Sequence, residues 1–272
     1  MKTYVDESQI DAYYADMVGK TVVITGAARG MGRIFAEELV ARGVNVVLTD
    51  LDDSALSTAQ AINDQTTEAT EQNQQRGRAV GVVADVTDRQ AHDTVLETAV
   101  QEFGQLDGWV NNAGVFPESP ILDCPESQID LSLDVNVKGT LYGAQAAASH
   151  FKDNGGGAIV NMASVSALRI RRNRGAYNTA KAAALQLTYS LAVELGDHGV
   201  RVNAVAPGFI DTAMTQWVHD TPGALDNALQ NVPLHRIGSP VEVFAAVYFL
   251  LSGSSRYITG TFISVDGGSR HV

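Results

Sequence analysis

Tyr177 and Lys181 lie four positions apart in a stretch with helical patterning over residues 176–196. That spacing brings both side chains to one helix face, about a turn apart. An unperturbed phenol titrates near 10, too high for a good base at neutral pH. A neighbouring ammonium favours the phenolate and lowers that value, as proton transfer to or from an alcohol requires. Taken alone, the pair reads better as a surface Tyr and Lys on an amphipathic helix, but it has company. Ser164 precedes Tyr177 by thirteen residues and follows an apolar run at 158–162, so its hydroxyl is expected at the end of a strand. A neutral donor there can hydrogen-bond a substrate oxygen as charge develops on it. Asn136 falls inside a helical stretch over 126–150, where asparagine is a poor choice. Either it caps a local kink, or it holds a water that relays protons to Lys181.

A second group of residues suits a dinucleotide. The apolar run 21–25 leads into a turn holding Gly26, Arg29, Gly30, Met31 and Gly32, with a helical pattern beginning near Met31. Such a turn aims backbone N–H groups and the positive end of a helix dipole at a pyrophosphate. A glycine trio alone is equally a tight turn. Here an acid about twenty residues on, Asp50, closes the next apolar run beside Leu51. Its carboxylate can accept both ribose hydroxyls of NAD and would repel the 2′-phosphate of NADP, so NAD is expected and NADP is the lesser alternative. Asp50 reads otherwise as a helix N-cap, a role that Asp52 or Asp53 could fill instead. Arg29 and Arg33 pull the other way, because an arginine near this turn could hold a 2′-phosphate. Asp85 and Val86, after a third run, stand where an adenine would lie.

The elements that must carry these residues alternate along the chain. Strand-like segments at 21–25, 45–49, 79–84, 108–111, 158–162, 201–205 and 261–265 are nearly continuous in apolar residues, as parallel strands covered on both faces are. Helical patterns lie between them near 31–42, 52–63, 88–103, 126–150, 176–196 and 240–251. The alternation predicts an α/β fold, a doubly wound, Rossmann-like parallel sheet of about seven strands in one domain. Right-handed crossovers would line the strand C-termini along one edge, where ligands bind. Residues 1–18 read as an N-terminal appendage whose Tyr13 and Tyr14 could dock on a neighbouring subunit, and 19–272 as the single folded domain. The polar, Gln-rich stretch 64–78 reads as a frayed helix end plus an exposed loop. Residues 207–239 form a long excursion at the ligand edge, the expected position of a substrate lid.

Composition excludes several classes. In 272 residues, 45% hydrophobic and 18% charged, there is ample material for one packed core. A formal net charge of −12 argues against nucleic acid and anionic membrane as partners. Cys124 is the only cysteine, so no intramolecular disulfide forms and no cysteine-based metal site can be assembled. His219 and His235 lack a metal-ligand spacing, and no metal is expected. Residues 1–18 do not resemble a secretory signal, and no apolar run approaches the roughly 20 residues of a membrane span. A reducing cytoplasm is the expected setting.

With these motifs in place, the chain resembles the compact, single-domain short-chain dehydrogenases/reductases over about residues 20–268. The likeness rests on Thr25-Gly-x-x-x-Gly-x-Gly32, Asn111-Asn-Ala-Gly114, the tetrad Asn136, Ser164, Tyr177 and Lys181, Pro207-Gly208, and Val265-Asp-Gly-Gly268, in that order. The resemblance implies an NAD-dependent enzyme acting on a secondary alcohol or ketone, with Tyr177 as general acid/base. Lys181 would lower its pKa and bind the nicotinamide ribose, Ser164 would polarise the carbonyl, and Asn136 would order a relay water. Asn112, Ala113 and Gly114 would line the ribose side of the cofactor and steady the central sheet. Ile210 and Thr212, after Pro207-Gly208, would hold the carboxamide. A homotetramer built through long helices and the C-terminal strand is also implied. An NADPH-dependent biosynthetic ketoreductase keeps the same chemistry. A non-catalytic dinucleotide-binding regulator is the reading of another class, and it has no need of the intact Ser164, Tyr177 and Lys181 set.

The substrate must be sought in local residues. Arg169, Arg171, Arg172 and Arg174 crowd six positions just before Tyr177, a reversal of sign on an acidic chain. They read either as surface or inter-subunit ion pairs or as a handle for an anionic substrate such as a hydroxy acid, a sugar derivative or a CoA-type molecule, with Arg171, Arg172 and Arg174 the candidates. Met214, Trp217 and Val218 in the lid could close over a ring or chain, such as a cyclic alcohol, and exclude water, or pack a short helix on the core.

Overall fold

The computed structural model describes residues 16–68, 76–212, 215, 220–221 and 223–272. Seven parallel strands form its sheet: β1 (Thr21–Thr25), β2 (Asn45–Asp50), β3 (Ala79–Val83), β4 (Gly108–Asn111), β5 (Gly157–Met162), β6 (Val200–Pro207) and β7 (Phe262–Val265). Their order across the sheet is β3-β2-β1-β4-β5-β6-β7. The chain starts in the middle, winds outward to β3, then returns past β1 to build the other half. The sequence reversal between β1 and β4 opens a crevice at the strand C-termini.

Each strand sends alternate residues to opposite faces, and in the inner strands β1, β2, β4, β5 and β6 both faces are largely buried. Val22 and Ile24 face one layer while Val23 faces the other. The first layer holds α1 (Gly30–Ala41) and α2 (Ser54–Glu68), and the second holds α3 (Arg89–Phe103). Beyond α3, the chain runs through α4 (Glu126–Leu133), a π-helical turn at Asp134–Gly139, α5 (Thr140–Phe151) and α6 (Gly175–Leu195). A short α7 (Ala224–Leu229) follows β6, and α8 (Pro240–Leu251) precedes β7. Alpha8 opens with a full capping box between Ser239 and Glu242, with Pro240 at its start.

Every crossover but the last shares one hand. Beta4 to β5 and β5 to β6 step across the sheet with their helices in the second layer, whereas β6 to β7 steps the same way with α8 in the first layer. Phe244 of α8 packs on Phe35 of α1, ring centroids 6.1 Å apart, which fixes the layer. This crossover therefore has the opposite hand. The right-hand rule comes from a short link feeding a helix back onto a twisted strand. Here the chain leaves β6 through a long excursion before α8 begins, so the constraint does not act.

The N-terminal boundary also moves. Met17 is buried in the first layer and Asp16 accepts a hydrogen bond from Gly253 N–H at 2.7 Å, so the folded domain reaches back at least to Asp16. The remainder of the expected appendage, Tyr13 and Tyr14 included, lies outside the described residues. The helix expected to fray after residue 63 continues to Glu68, where the described segment ends.

A buried polar chain ties the sheet centre to α6. Trp109 Nε1 donates to Asn111 Oδ1 (2.9 Å), Asn111 Nδ2 to Asn161 Oδ1 (2.8 Å) and Asn161 Nδ2 to Thr188 Oγ1 (2.9 Å). Every donor in it is used, as a buried network requires. His92 of α3 lies in the second layer against Trp109 and Tyr142, its Nε2 2.9 Å from the Val86 carbonyl. Burial pushes its pKa below the ordinary histidine value, although the Val86 carbonyl and the nearby Asp93, Asp88 and Asp85 oppose the shift. The unfolded chain therefore binds a proton that the fold refuses, and stability should fall as pH drops from the ordinary value through the folded one. The slope is at most about 1.4 kcal/mol per pH unit for one proton. Thermal melts at pH 7.5 and 5.0 should show a larger loss for the wild type than for His92→Gln. Parallel losses would refute a neutral His92.

Candidate active site

The glycine turn is built against the first residues after β4. Asn112 Nδ2 donates to the carbonyls of Thr25 (2.9 Å) and Gly26 (2.8 Å), while Thr25 Oγ1 accepts from the N–H groups of Asn112 (3.1 Å) and Ala113 (3.0 Å). Gly26 has φ +63, and a Cβ there would lie 2.7 Å from Ala113 Cα. Gly30 has φ +61 and open space where a side chain would point. No side chain caps the N-terminus of α1 and no acid lies in its first turn. An uncapped helix N-terminus behind a glycine turn is what a pyrophosphate needs, so these residues fit the expected dinucleotide.

Asp50, at the end of β2, is held against this turn. Its Oδ2 accepts from Ala28 N–H at 3.1 Å and its Oδ1 from Asp52 N–H at 3.2 Å. The N-cap alternative falls to Asp52, whose carboxylate accepts from Ser54 N–H at 2.9 Å at the start of α2. Arg33 is paired with Glu37 at 2.8 Å, and Arg29 is exposed. Leu51 is exposed beside Asp50. Asp85 is half-buried, with Oδ1 engaged by the Thr87 N–H and hydroxyl, both at 2.8 Å, and Val86 lies against Gly139.

On the other side of the crevice, Tyr177 occupies the first turn of α6 and Lys181 the next. Ser164 follows β5, is buried, and lines the same cleft as Tyr177, close enough for its hydroxyl to favour the phenolate. The Lys181 ammonium donates to the Met162 carbonyl at 2.8 Å and lies 5.9 Å from the Tyr177 ring centroid. Gly114 sits between Lys181 and Asn136: a Cβ there would be 2.9 Å from Asn136 Oδ1 and 3.3 Å from Lys181 Nζ. The four expected catalytic residues and the Asn112–Gly114 segment are therefore brought together from β4, β5 and two helices.

Two expectations about this group change. Asn136 is fully buried in the π-helical turn, and its side chain clamps the backbone of Val115, accepting from Val115 N–H (3.2 Å) and donating to its carbonyl (3.0 Å). Of its two readings, the structure contains the kink; widened turns of this kind recur at functional sites. The second change concerns Tyr177. Its pKa lies above the ordinary tyrosine value rather than below it, because desolvation outweighs the opposing Ser164 hydrogen bond and Arg174 charge. Lys181 is itself pulled down to about 8 by burial. Here the ammonium's own desolvation, rather than its pull on the phenol, dominates.

The cleft beside Tyr177 has a volume of about 340 Å³ and is lined by Ser164, Phe116, Arg171, Arg174, Gly208, Phe209, Thr215 and Asn227, among others. Phe116 stands edge-on to Tyr177, centroids 4.6 Å apart. Arg174 lies 4.6 Å over the Phe116 ring and pairs with Glu118 at 2.7 Å. Pro207 pairs with Val265 at the end of β6, and Gly208 N–H donates to the Val265 carbonyl at 2.9 Å. The Ile210 side chain is buried in the first layer. Thr215 Oγ1 donates to the Ile210 carbonyl (2.7 Å) and accepts from Thr212 N–H (3.0 Å), fixing the start of the excursion. Met214, Trp217 and Val218 lie outside the described residues.

Sequence reasoning did not find Phe116, Glu118, Thr215 or Asn227. Phe116 directly follows the Asn111–Gly114 motif by two positions, a usable signal; the others reach the site only through contacts distant in sequence. Of the four arginines, Arg169 is tied to the Ser269 carbonyl (2.8 Å) and Arg172 is exposed. Among the described residues no cluster of three or more His, Cys, Asp or Glu could hold a metal ion, and no helix is long and apolar enough to cross a membrane.

Known proteins resemble this chain over most of its length. A family model described as enoyl-(acyl carrier protein) reductase matches residues 26–270. The chain is 36% identical to 2-(R)-hydroxypropyl-CoM dehydrogenase of Xanthobacter autotrophicus, over 92% of this chain and 98% of that protein. It is also 36% identical to a diacetyl reductase [(S)-acetoin forming] of Staphylococcus epidermidis, again over 92% and 98%. Among solved structures, levodione reductase superposes with a TM-score of 0.84 at 30% identity, covering 94% of this chain and 99% of that one.

Proposed function

Because this chain belongs to the short-chain dehydrogenase/reductase family, we propose that it transfers a hydride between NAD(H) and a secondary alcohol or its ketone, with Tyr177 as general acid/base. The observation that carries this reading is that Tyr177 and Ser164 line one cleft, with Tyr177 one helical turn from the buried Lys181. In this reading Gly26, Arg29, Gly30, Met31 and Gly32 hold the cofactor's pyrophosphate, Asp50 and Leu51 its adenosine ribose, and Asp85 and Val86 its adenine. Asn112, Ala113, Gly114, Tyr177 and Lys181 line its nicotinamide ribose, and Pro207, Gly208, Ile210 and Thr212 its carboxamide. The bound nicotinamide supplies hydride transfer.

The chain's own residues manage the substrate oxygen and its proton. In ketone reduction, the protonated Tyr177 hydroxyl gives its proton to the oxygen as negative charge grows there. Burial raises its pKa, so this is the form present at neutral pH. In alcohol oxidation the phenolate must form first, and the Ser164 hydrogen bond and the Arg174 charge both favour it. Ser164 also donates to the substrate oxygen, as a fixed dipole already in place before charge develops. Asn136 acts by holding Val115, and a water ordered beside it would relay protons to Lys181. Ile129, Leu131 and Val193 are exposed apolar residues on α4 and α6, which supports a homotetramer built through these helices. Its expected setting is the cytoplasm.

NAD is the cofactor we favour over NADP, because the Asp50 carboxylate is fixed at the turn while Arg33 is engaged with Glu37. Initial rates on a panel of secondary alcohols and ketones, with each dinucleotide, test the reaction and the cofactor together. Wild-type kcat/KM should favour NAD(H) at least tenfold, and Asp50→Ala should reduce that ratio by about ten- to a hundredfold through lost charge repulsion. A wild type that prefers NADP(H) would overturn the assignment of Asp50.

A further inference from the structure

The four arginines before Tyr177 do not share one role. Arg169 and Arg174 have partners in the fold, and Arg172 is exposed. Arg171 differs from all three: it is half-buried, lines the cleft that contains Ser164 and Tyr177, and among the described residues its guanidinium has neither a hydrogen bond nor an ion pair. Among the described residues no carboxylate lines that cleft. Among the described residues the only other charged group along it is Arg174, which is paired with Glu118, and this leaves Arg171 as the cation there without a counter-charge, on a protein of net charge −12. Taking a charge partly out of water without a partner is costly, so such a group marks a place where a counter-charge arrives from outside.

The backbone around Arg171 is fixed in advance. Asn178, buried and next to the proposed base, donates from Nδ2 to the Arg171 carbonyl at 3.1 Å. Ser119 N–H donates to the Asn173 carbonyl at 2.8 Å, and Asn173 takes a left-handed φ of +62 that turns the chain back toward Gly175. The loop is thereby pinned to α6 at one end and to the segment after β4 at the other. A loop held in its binding conformation spends less of the interaction on ordering.

We propose that Arg171 binds an oxyanion carried by the substrate, a carboxylate, phosphate or sulfonate close to the reacting carbon. The hydroxyl or carbonyl end then lies at Ser164 and Tyr177, and the anion is held by the guanidinium fork at the other side of the same cleft. Arg174 serves as a positioning residue, stacked on Phe116 and anchored by Glu118. This assignment rests on the oxidoreductase reading above, and it narrows the substrate to acidic secondary alcohols and their ketones.

The test compares acetoacetate, 2-oxopropylphosphonate and 2-oxopropanesulfonate with the neutral 2-butanone and methyl acetoacetate, using the full-length protein and reduced cofactor. At least one anionic ketone should exceed the neutral ones in kcat/KM by about ten- to a hundredfold, mainly through KM, as one charge-assisted contact predicts. Arg171→Gln should collapse that ratio toward one, while Arg172→Gln, with the same loss of net charge, should retain it. Turnover of the neutral ketones shows that each variant is folded. Neutral ketones that match all three anions, or an unchanged ratio in Arg171→Gln, would sink the proposal and leave the oxidoreductase reading intact. Calorimetric titration of acetate, phosphate and methanesulfonate reads the site without turnover. Binding by the wild type that Arg171→Gln loses supports it, and equal binding or none by either protein overturns it. Absence of any turnover alongside such binding would overturn the oxidoreductase reading alone.

Discussion

Replacing Tyr177 by phenylalanine should lower kcat by about 10²- to 10⁴-fold in both directions, the range for removal of a positioned general acid or base. The substitution deletes one oxygen and little else. The ring keeps its edge-on contact with Phe116 and its place in the first turn of α6, so the fold and KM should change little. The pH dependence is equally diagnostic. Tyr177 is raised by burial and Lys181 is lowered to about 8, so on raising the pH Lys181 is the first of the two to lose its proton, near 8, and its neutral amine can then accept one. Oxidation, which needs a proton acceptor, should accelerate as pH rises through that region. Reduction, which needs the donor, should slow. Stopped-flow measurement of both directions from pH 6 to 10, for wild type and Tyr177→Phe, reads both effects. Activity that survives in the variant would refute Tyr177 as the base.

The other large effect should come from Gly32→Ala, through packing rather than chemistry. Gly32 lies in the first turn of α1 with ordinary helical backbone, so no strained torsion explains the glycine. Its reason is space: a Cβ would overlap the Gly26 carbonyl oxygen and stand 2.5 Å from Asn112 Nδ2 and 2.9 Å from Ala27 Cα. Two of these are backbone atoms, and the third donates to both Thr25 and Gly26, so none can yield without opening the turn. Overpacking of this kind costs about 1–3 kcal/mol or more. At about 2–4 °C per kcal/mol for a chain of this size, Tm should fall by roughly 5–10 °C. NADH binding, followed by fluorescence titration, should weaken at least tenfold because the displaced amides are those we propose hold the pyrophosphate. Gly30→Ala is the control: its φ is +61 but its Cβ meets nothing, so it carries only the left-handed strain of about 1–2 kcal/mol. Equal melting temperatures for wild type and Gly32→Ala would show that the turn has slack the distances do not allow.

Much of this molecule is determined by short-range pattern. The seven strands fall within a few residues of where apolar runs place them, because a strand buried on both faces must be apolar almost throughout. The glycine turn, the acid that closes β2 and the order Asn136, Ser164, Tyr177, Lys181 are legible for a related reason: each is a local arrangement whose chemistry constrains residue type and spacing. What the tertiary structure decided has no local signature. The partner of Arg174 is Glu118, 56 residues away in sequence, so nothing in the run 169–174 distinguishes the paired arginine from the unpaired one. The hand of the last crossover follows from which layer α8 joins, and that depends on the contact of Phe244 with Phe35. Asn136 was legible as an anomaly in a helix, yet its π-helical turn and its grip on Val115 exist only once α4 and the segment after β4 are side by side. The Tyr177 pKa is the clearest case. Spacing put an ammonium next to a phenol and so predicted a lowered value, but the balance between attraction and desolvation is set by how much water the surrounding helices and strands exclude, and burial is a property of the packed fold.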